Sequence, residues 1–198
     1  MGTGPAADAF APAVLEAVAR IPAARVRRSR EPADAARRLA RQAALKAAAT
    51  AGVLALPSGP LGWLTLLPEM RSVWKIQAQL VADIAALHGR KSELTKEQML
   101  YCLFRDDAAN VLRDVVTRVG ERFVVRPPSS RLMQRLVREI ALRLTQRVLG
   151  KGVARWLPVA GAVGVGAYAY HETQRVAQAA LELFASEVET VTEPEGTP

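Results

Sequence analysis

The sequence predicts an all-α protein: a single multi-helix bundle around two apolar helical hairpins that are broken by glycine and proline. Three observations carry this. Half of the 198 residues are apolar but only 5% are aromatic, so the hydrophobic mass is Ala, Leu and Val, and Ala and Leu favour helix over strand. Apolar residues recur at three- and four-residue spacing along most of the chain. Two uncharged segments, Ala47 to Pro68 and Trp156 to Tyr170, combine a Leu-Pro step with closely spaced glycines. A chain of this length supplies one sizeable core. Residues 1–30 read as a short helix and a basic connector, 31–188 as the helical domain, and 189–198 as a disordered acidic tail.

Taken in order, Phe10, Val14, Leu15 and Val18 give a first helix that Pro22 ends. Pro32 suits the first turn of a second helix running to about Leu56, polar and basic at first and apolar later. Pro57-Ser58-Gly59-Pro60 breaks it, because neither proline donates a backbone hydrogen bond, and the apolar stretch Leu61 to Leu67 closes a tight hairpin. Beyond Pro68 an amphipathic helix places Val73, Ile76, Leu80, Ile84 and Leu87 on one stripe, flanked by Trp74, and Gly89 offers its C-terminal cap. His88 reads as a residue serving the last carbonyls of that helix.

Thr95 with Gln98 has the spacing of a capping box. The helix it opens is expected to carry Met99, Leu103, Val111, Leu112, Val115 and Val119 before Gly120, either unbroken or divided in two by the polar interruption Asp106-Asp107-Ala108-Ala109-Asn110. Pro127-Pro128 breaks the chain again, and Ser129 or Ser130 caps the next helix. There Leu132, Leu136, Ile140, Leu144 and Val148 form an apolar stripe, while Arg131, Arg135, Arg138, Arg143 and Arg147 lie largely off it, with Lys151 just beyond. After the second apolar segment a closing helix is expected from about His171 to Val188.

The formal net charge is +8, which favours anionic partners. A GC-rich bacterial coding bias toward Ala and Arg accounts for part of the arginine content. No helix-turn-helix signature, zinc knuckle or RNA-binding aromatic phrase accompanies the charge, so nucleic acid is not the expected partner. An anionic membrane surface or a membrane protein is. The first residues lack the pattern of a signal peptide or a myristoylation site, and the single Cys102 lies in an apolar phrase, so a reducing cytoplasmic location is expected.

The two uncharged segments echo each other. Leu56-Pro57 with Gly59 and Gly62 matches Leu157-Pro158 with Gly161 and Gly164, as in a weak internal duplication. The phrase Leu157-Pro158-Val159-Ala160-Gly161-Ala162-Val163-Gly164, continuing through Tyr168 to Arg175-Val176-Ala177 and Phe184, resembles the C-terminal signature of the bacterial EcsC family. The run from Leu61 through Gln77, Gln79-Leu80-Val81 and Ile84 to Leu87-His88-Gly89 is similar to that family's middle helix, with His88 where the family tends to have tyrosine. The resemblance covers roughly residues 45–184. It implies a helical protein associated with the cytoplasmic membrane and supplies no catalytic residues.

Small residues at Ala160, Gly161 and Gly164, and at Ala162 and Gly166, permit close approach between helices. Both segments are too short or too broken to span a bilayer comfortably. This leaves a buried hairpin, or shallow insertion with Trp63 and Trp156 at the head-group level and the arginine helix on anionic lipid. For chemistry, Glu69, Arg71, His171 and Glu172 follow the two segments in parallel fashion and would form a polar mouth if the bundle brings them together. No metal-site spacing, phosphate loop or nucleophile is found, and no cofactor is expected. The function expected is that of a non-enzymatic, membrane-peripheral accessory protein. The alternative is a soluble enzyme or ligand-binding protein using the polar mouth.

Overall fold

The computed structural model describes residues 5–54, 66–107, 109–113, 115–119, 122–150 and 158–190. They form a helical bundle with a small sheet. The helices are α1 (Pro5–Ala19), α2 (Pro32–Leu54), α3 (Leu66–Leu87), α4 (Lys96–Phe104), α5 (Ala109–Leu112), α6 (Ser130–Gly150) and α7 (Pro158–Ala185). The strands are β1 (Val116–Val119), β2 (Arg122–Val125) and β3 (Glu187–Thr190).

The C-terminal half of α3 is the centre of the bundle. From Gln77 to Leu87 every residue except Gln79 is buried, as expected of a helix enclosed by neighbours on all sides. Its buried polar groups are satisfied by other elements. Gln77 Nε2 donates to Thr173 Oγ1 of α7 at 3.2 Å, and Thr173 donates in turn to the Ala169 carbonyl at 2.8 Å. Asp83 Oδ1 accepts from the Arg25 backbone amide at 2.6 Å and from Gln79 Nε2 at 3.1 Å, and Gln79 also reaches the Ala23 carbonyl. Together with the bond from the Ser29 amide to the Leu87 carbonyl, these contacts lay the connector between α1 and α2 along α3.

Gly89 ends α3 with φ at 78°. The Gly89 amide bonds to the Ala86 carbonyl and the Arg90 amide to the Ala85 carbonyl, the pair of bonds that defines a Schellman cap. The capping box of α4 is present in full, with the Thr95 hydroxyl accepting from the Gln98 amide and the Gln98 side chain accepting from the Thr95 amide.

Helices α2 and α7 pack through small residues. Ala36, Ala40, Ala44, Ala47 and Ala51 are all buried along one face of α2. A Cβ placed on Gly166 would lie 3.0 Å from the Ala48 carbonyl oxygen, and one on Gly52 would lie 3.4 Å from that of Ala162. The lack of a side chain at Gly166 is therefore what lets the two backbones meet. At Gly164 nothing lies within 4 Å of the same construction, so this glycine does not serve the packing that its spacing suggested.

Three expectations change. The helix opened by Thr95 is divided at the polar interruption into α4 and α5, but its last part is not helical: Val116–Val119 pairs antiparallel with Arg122–Val125, placing Val116 opposite Val125. The β-branched valines gain more here from a ladder that buries Val116, Phe123 and Val125 than from a helical turn. The closing helix begins at Pro158, so the second apolar segment from Pro158 to Tyr170 is the first half of one continuous helix, with proline in the first turn where its missing amide costs nothing. Finally, Glu187–Thr190 pairs parallel with β2, which takes Glu189 and Thr190 out of the expected disordered tail. The strand order is β1-β2-β3. The Pro57-Ser58-Gly59-Pro60 break lies outside the described residues.

The two glycines give opposite expected outcomes. Gly164→Ala raises stability by about 1 kcal/mol through helix propensity alone. Gly166→Val lowers it by about 1–3 kcal/mol because the clash is with backbone. Urea denaturation midpoints of the two variants test the pair, and a shared sign would contradict the packing described.

Candidate functional site

Helix α6 carries the chain's most strongly divided surface. Ser129 opens it, its hydroxyl accepting the Leu132 amide at 3.3 Å. Leu136, Val137, Ile140, Ala141 and Leu144 are buried, and Leu132 is half-buried. Arg131, Arg135, Arg138 and Arg143 are exposed. Arg143 pairs with Glu139 one turn back, Nε to Oε1 at 3.1 Å. Among the described residues Arg131, Arg135 and Arg138 have no acidic partner. Arg147 falls further along α6, and Lys151 lies outside the described residues. The helix thus joins the core by one face and offers a row of guanidinium groups on the other.

Of the apolar-segment residues, Pro57, Gly59, Gly62, Trp63 and Trp156 lie outside the described residues. Pro158, Gly161, Gly164 and Gly166 all belong to α7. On its exposed side α7 shows Val163 and Tyr168, and α2 shows Leu45 and Val53. Among the described residues no helix is long and apolar enough to cross a membrane.

Of the four residues expected to form a polar mouth, the three whose side chains are described, Arg71, His171 and Glu172, do not converge on one hollow. Arg71 turns to α1, with Nε 3.1 Å from Glu16 Oε2, and lines a groove between α1, α2 and α3. His171 lines a different hollow, between α2 and α7, and meets Tyr170 edge-on at 5.8 Å. Glu172 pairs with Arg175 on its own helix at 3.5 Å. Glu69 lies in α3, two residues before Arg71. Among the described residues no group of three or more His, Cys, Asp or Glu side chains could hold a metal ion. His88 serves the helix end as expected, with Nδ1 2.9 Å from the Ile84 carbonyl.

An ionic strip that the sequence did not reveal joins the end of α4 to α7. Arg105 donates to Glu182 at 2.7 Å, Arg175 donates to Asp106 at 3.2 Å, and Gln178 donates to the other oxygen of Glu182 at 3.0 Å. The Arg105 guanidinium also lies 5.9 Å from the centre of the Tyr101 ring. Burial opposes its charge, but hydrogen bonds to Tyr101 and Glu182 outweigh burial and hold its pKa above the ordinary value. The signal available was slight: in sequence Arg105-Asp106 and Arg175 to Glu182 are charged residues of two separate stretches, and only the fold sets them face to face. Comparison of the chain with models of protein families, with curated proteins and with solved structures gives no match.

Beside this strip, burial pushes the Cys102 thiol and the Tyr101 phenol up, in each case against a smaller opposing pull from Arg105. Both groups keep their proton in the fold at pH values where the unfolded chain loses it. Their stabilisation is therefore complete below the ordinary thiol value of 9.0 and is lost progressively above it, the thiol's part from 9.0 upward and the phenol's from its ordinary value of 10.0 upward. The unfolding free energy should decline on the alkaline side, with Cys102→Ala removing the earlier part of the fall. Denaturant titrations across that range measure it.

Proposed function

We propose that the protein is a non-enzymatic accessory protein that associates peripherally with the anionic face of a cytoplasmic membrane through α6. The observation that carries this reading is the division of α6, with Leu136, Ile140 and Leu144 anchored in the core and Arg131, Arg135 and Arg138 exposed without acidic partners among the described residues. A row fixed in this way keeps its charge available, and guanidinium groups suit phosphate geometry. The resemblance of residues 45–184 to the EcsC family supports the same location.

Each basic residue near an anionic bilayer is worth about 1 kcal/mol. Replacing Arg131, Arg135 and Arg138 together by Gln should lower partitioning onto anionic vesicles by roughly two orders of magnitude. Neutral vesicles should recover little protein in either form. Flotation with both vesicle types tests this, and equal recovery of the wild-type chain in the soluble fraction for both would overturn the reading.

A further inference from the structure

Helix α1, the connector after it, α2 and α3 surround an open groove of about 750 Å³, within the roughly 300–1,000 Å³ typical of small-molecule sites. The groove follows from residue size. Ala13, Ala17, Ala43 and Ala78 stand where the three helices converge, and their single methyl groups leave unfilled the space that leucines would occupy. Trp74 and Leu80 complete an apolar floor. Trp74 packs on Phe104, the rings edge-on with centroids 5.3 Å apart.

The rim has the opposite character. Arg20, Arg25, Lys46, Arg71 and Lys75 border the groove, against Glu16 and Asp83. Both carboxylates are already engaged, Glu16 by Arg71 and Asp83 by the Arg25 amide and Gln79. Arg20, Lys46 and Lys75 are exposed and have no acidic partner among the described residues. An uncharged apolar ligand would leave these cations unused, and a small hydrophilic anion would leave the floor uncovered.

We propose that the groove binds a single-chain anionic amphiphile, its acyl chain on the alanine and Trp74 floor and its phosphate or carboxylate at Lys46, Lys75 and Arg20. The surface involved is built on α1 to α3, while the membrane reading rests on α6, so either can fail alone. A lipid-derived monoester and free phosphate share the head-group chemistry, and the half-ligands separate them.

The test is calorimetric titration of the full chain with dodecyl phosphate kept below its critical micelle concentration, beside inorganic phosphate, dodecanol and dodecyltrimethylammonium. The expected result is one dodecyl phosphate per chain, with each of the other three weaker by about ten-fold or more, since each lacks a charge-assisted contact or the buried chain. Lys46→Gln with Lys75→Gln should weaken dodecyl phosphate by at least about ten-fold, and Ala43→Phe should abolish binding by filling the floor. The Arg131, Arg135 and Arg138 variant should bind as wild type. Equal binding of inorganic phosphate or of the cationic amphiphile, wild-type affinity in the lysine pair, or loss of binding in the α6 variant would each overturn the proposal. Circular dichroism confirms folding, and if Ala43→Phe does not fold, the surface lysine pair decides the outcome.

Discussion

The enclosure of α3 is the constraint on which the rest of the fold depends. A helix buried from Gln77 to Leu87 but for Gln79 gains apolar burial around most of its circumference, but any buried polar group on it must be met by another part of the chain. Asp83 meets this demand through the Arg25 amide and Gln79, and Gln77 meets it through Thr173. The first bond draws the connector across the bundle and so fixes where α1 and α2 lie. The second sets the position of α7 along α3. Removing either partner would strand a polar group inside the core, which commonly costs about 1–3 kcal/mol.

Much of this architecture is legible locally. The caps at Thr95, Ser129 and Gly89 are short-range patterns that the structure reproduces, and the apolar stripes bury Phe10, Val14 and Val18 of α1, Leu80, Ile84 and Leu87 of α3 and Leu136, Ile140 and Leu144 of α6, while Leu15 is exposed. The misreadings arise where distant parts decide. Val111, Val115 and Val119 satisfy helical spacing, yet Val116 to Val125 is rich in β-branched residues around Gly120-Glu121, a hairpin signal that the helical period concealed. Strand β3 becomes a strand by pairing with β2, and nothing within Glu187–Thr190 announces that partner. The glycines of α7 read as breakers, but Gly166 is tolerated because the Ala48 carbonyl occupies the space a side chain would need.

The candidate sites divide in the same way. A row of arginines on one helix is visible by periodicity, and α6 exposes its described members Arg131, Arg135, Arg138 and Arg143. The cations around the groove come from α1, the connector, α2 and α3, and no spacing rule collects residues from four separate stretches. The polar mouth assumed that the residues following the two apolar segments would lie side by side. Arg71 instead finds Glu16 of α1, an element outside the supposed repeat.

The parallel pairing of β3 with β2 has a kinetic consequence. All of α6 and α7 separates the two strands in sequence, so their ladder closes a long loop, and the entropy of that closure must be met before the contacts reward it. The β1–β2 pair forms between near neighbours, whereas the seating of α7 on α2 and of α6 on α1 joins parts of the chain farther apart still. The third strand follows directly from α7, so its ladder is complete only when that helix is seated against α2 and α3, and the sheet edge thereby reports on the docking of the longest described helix.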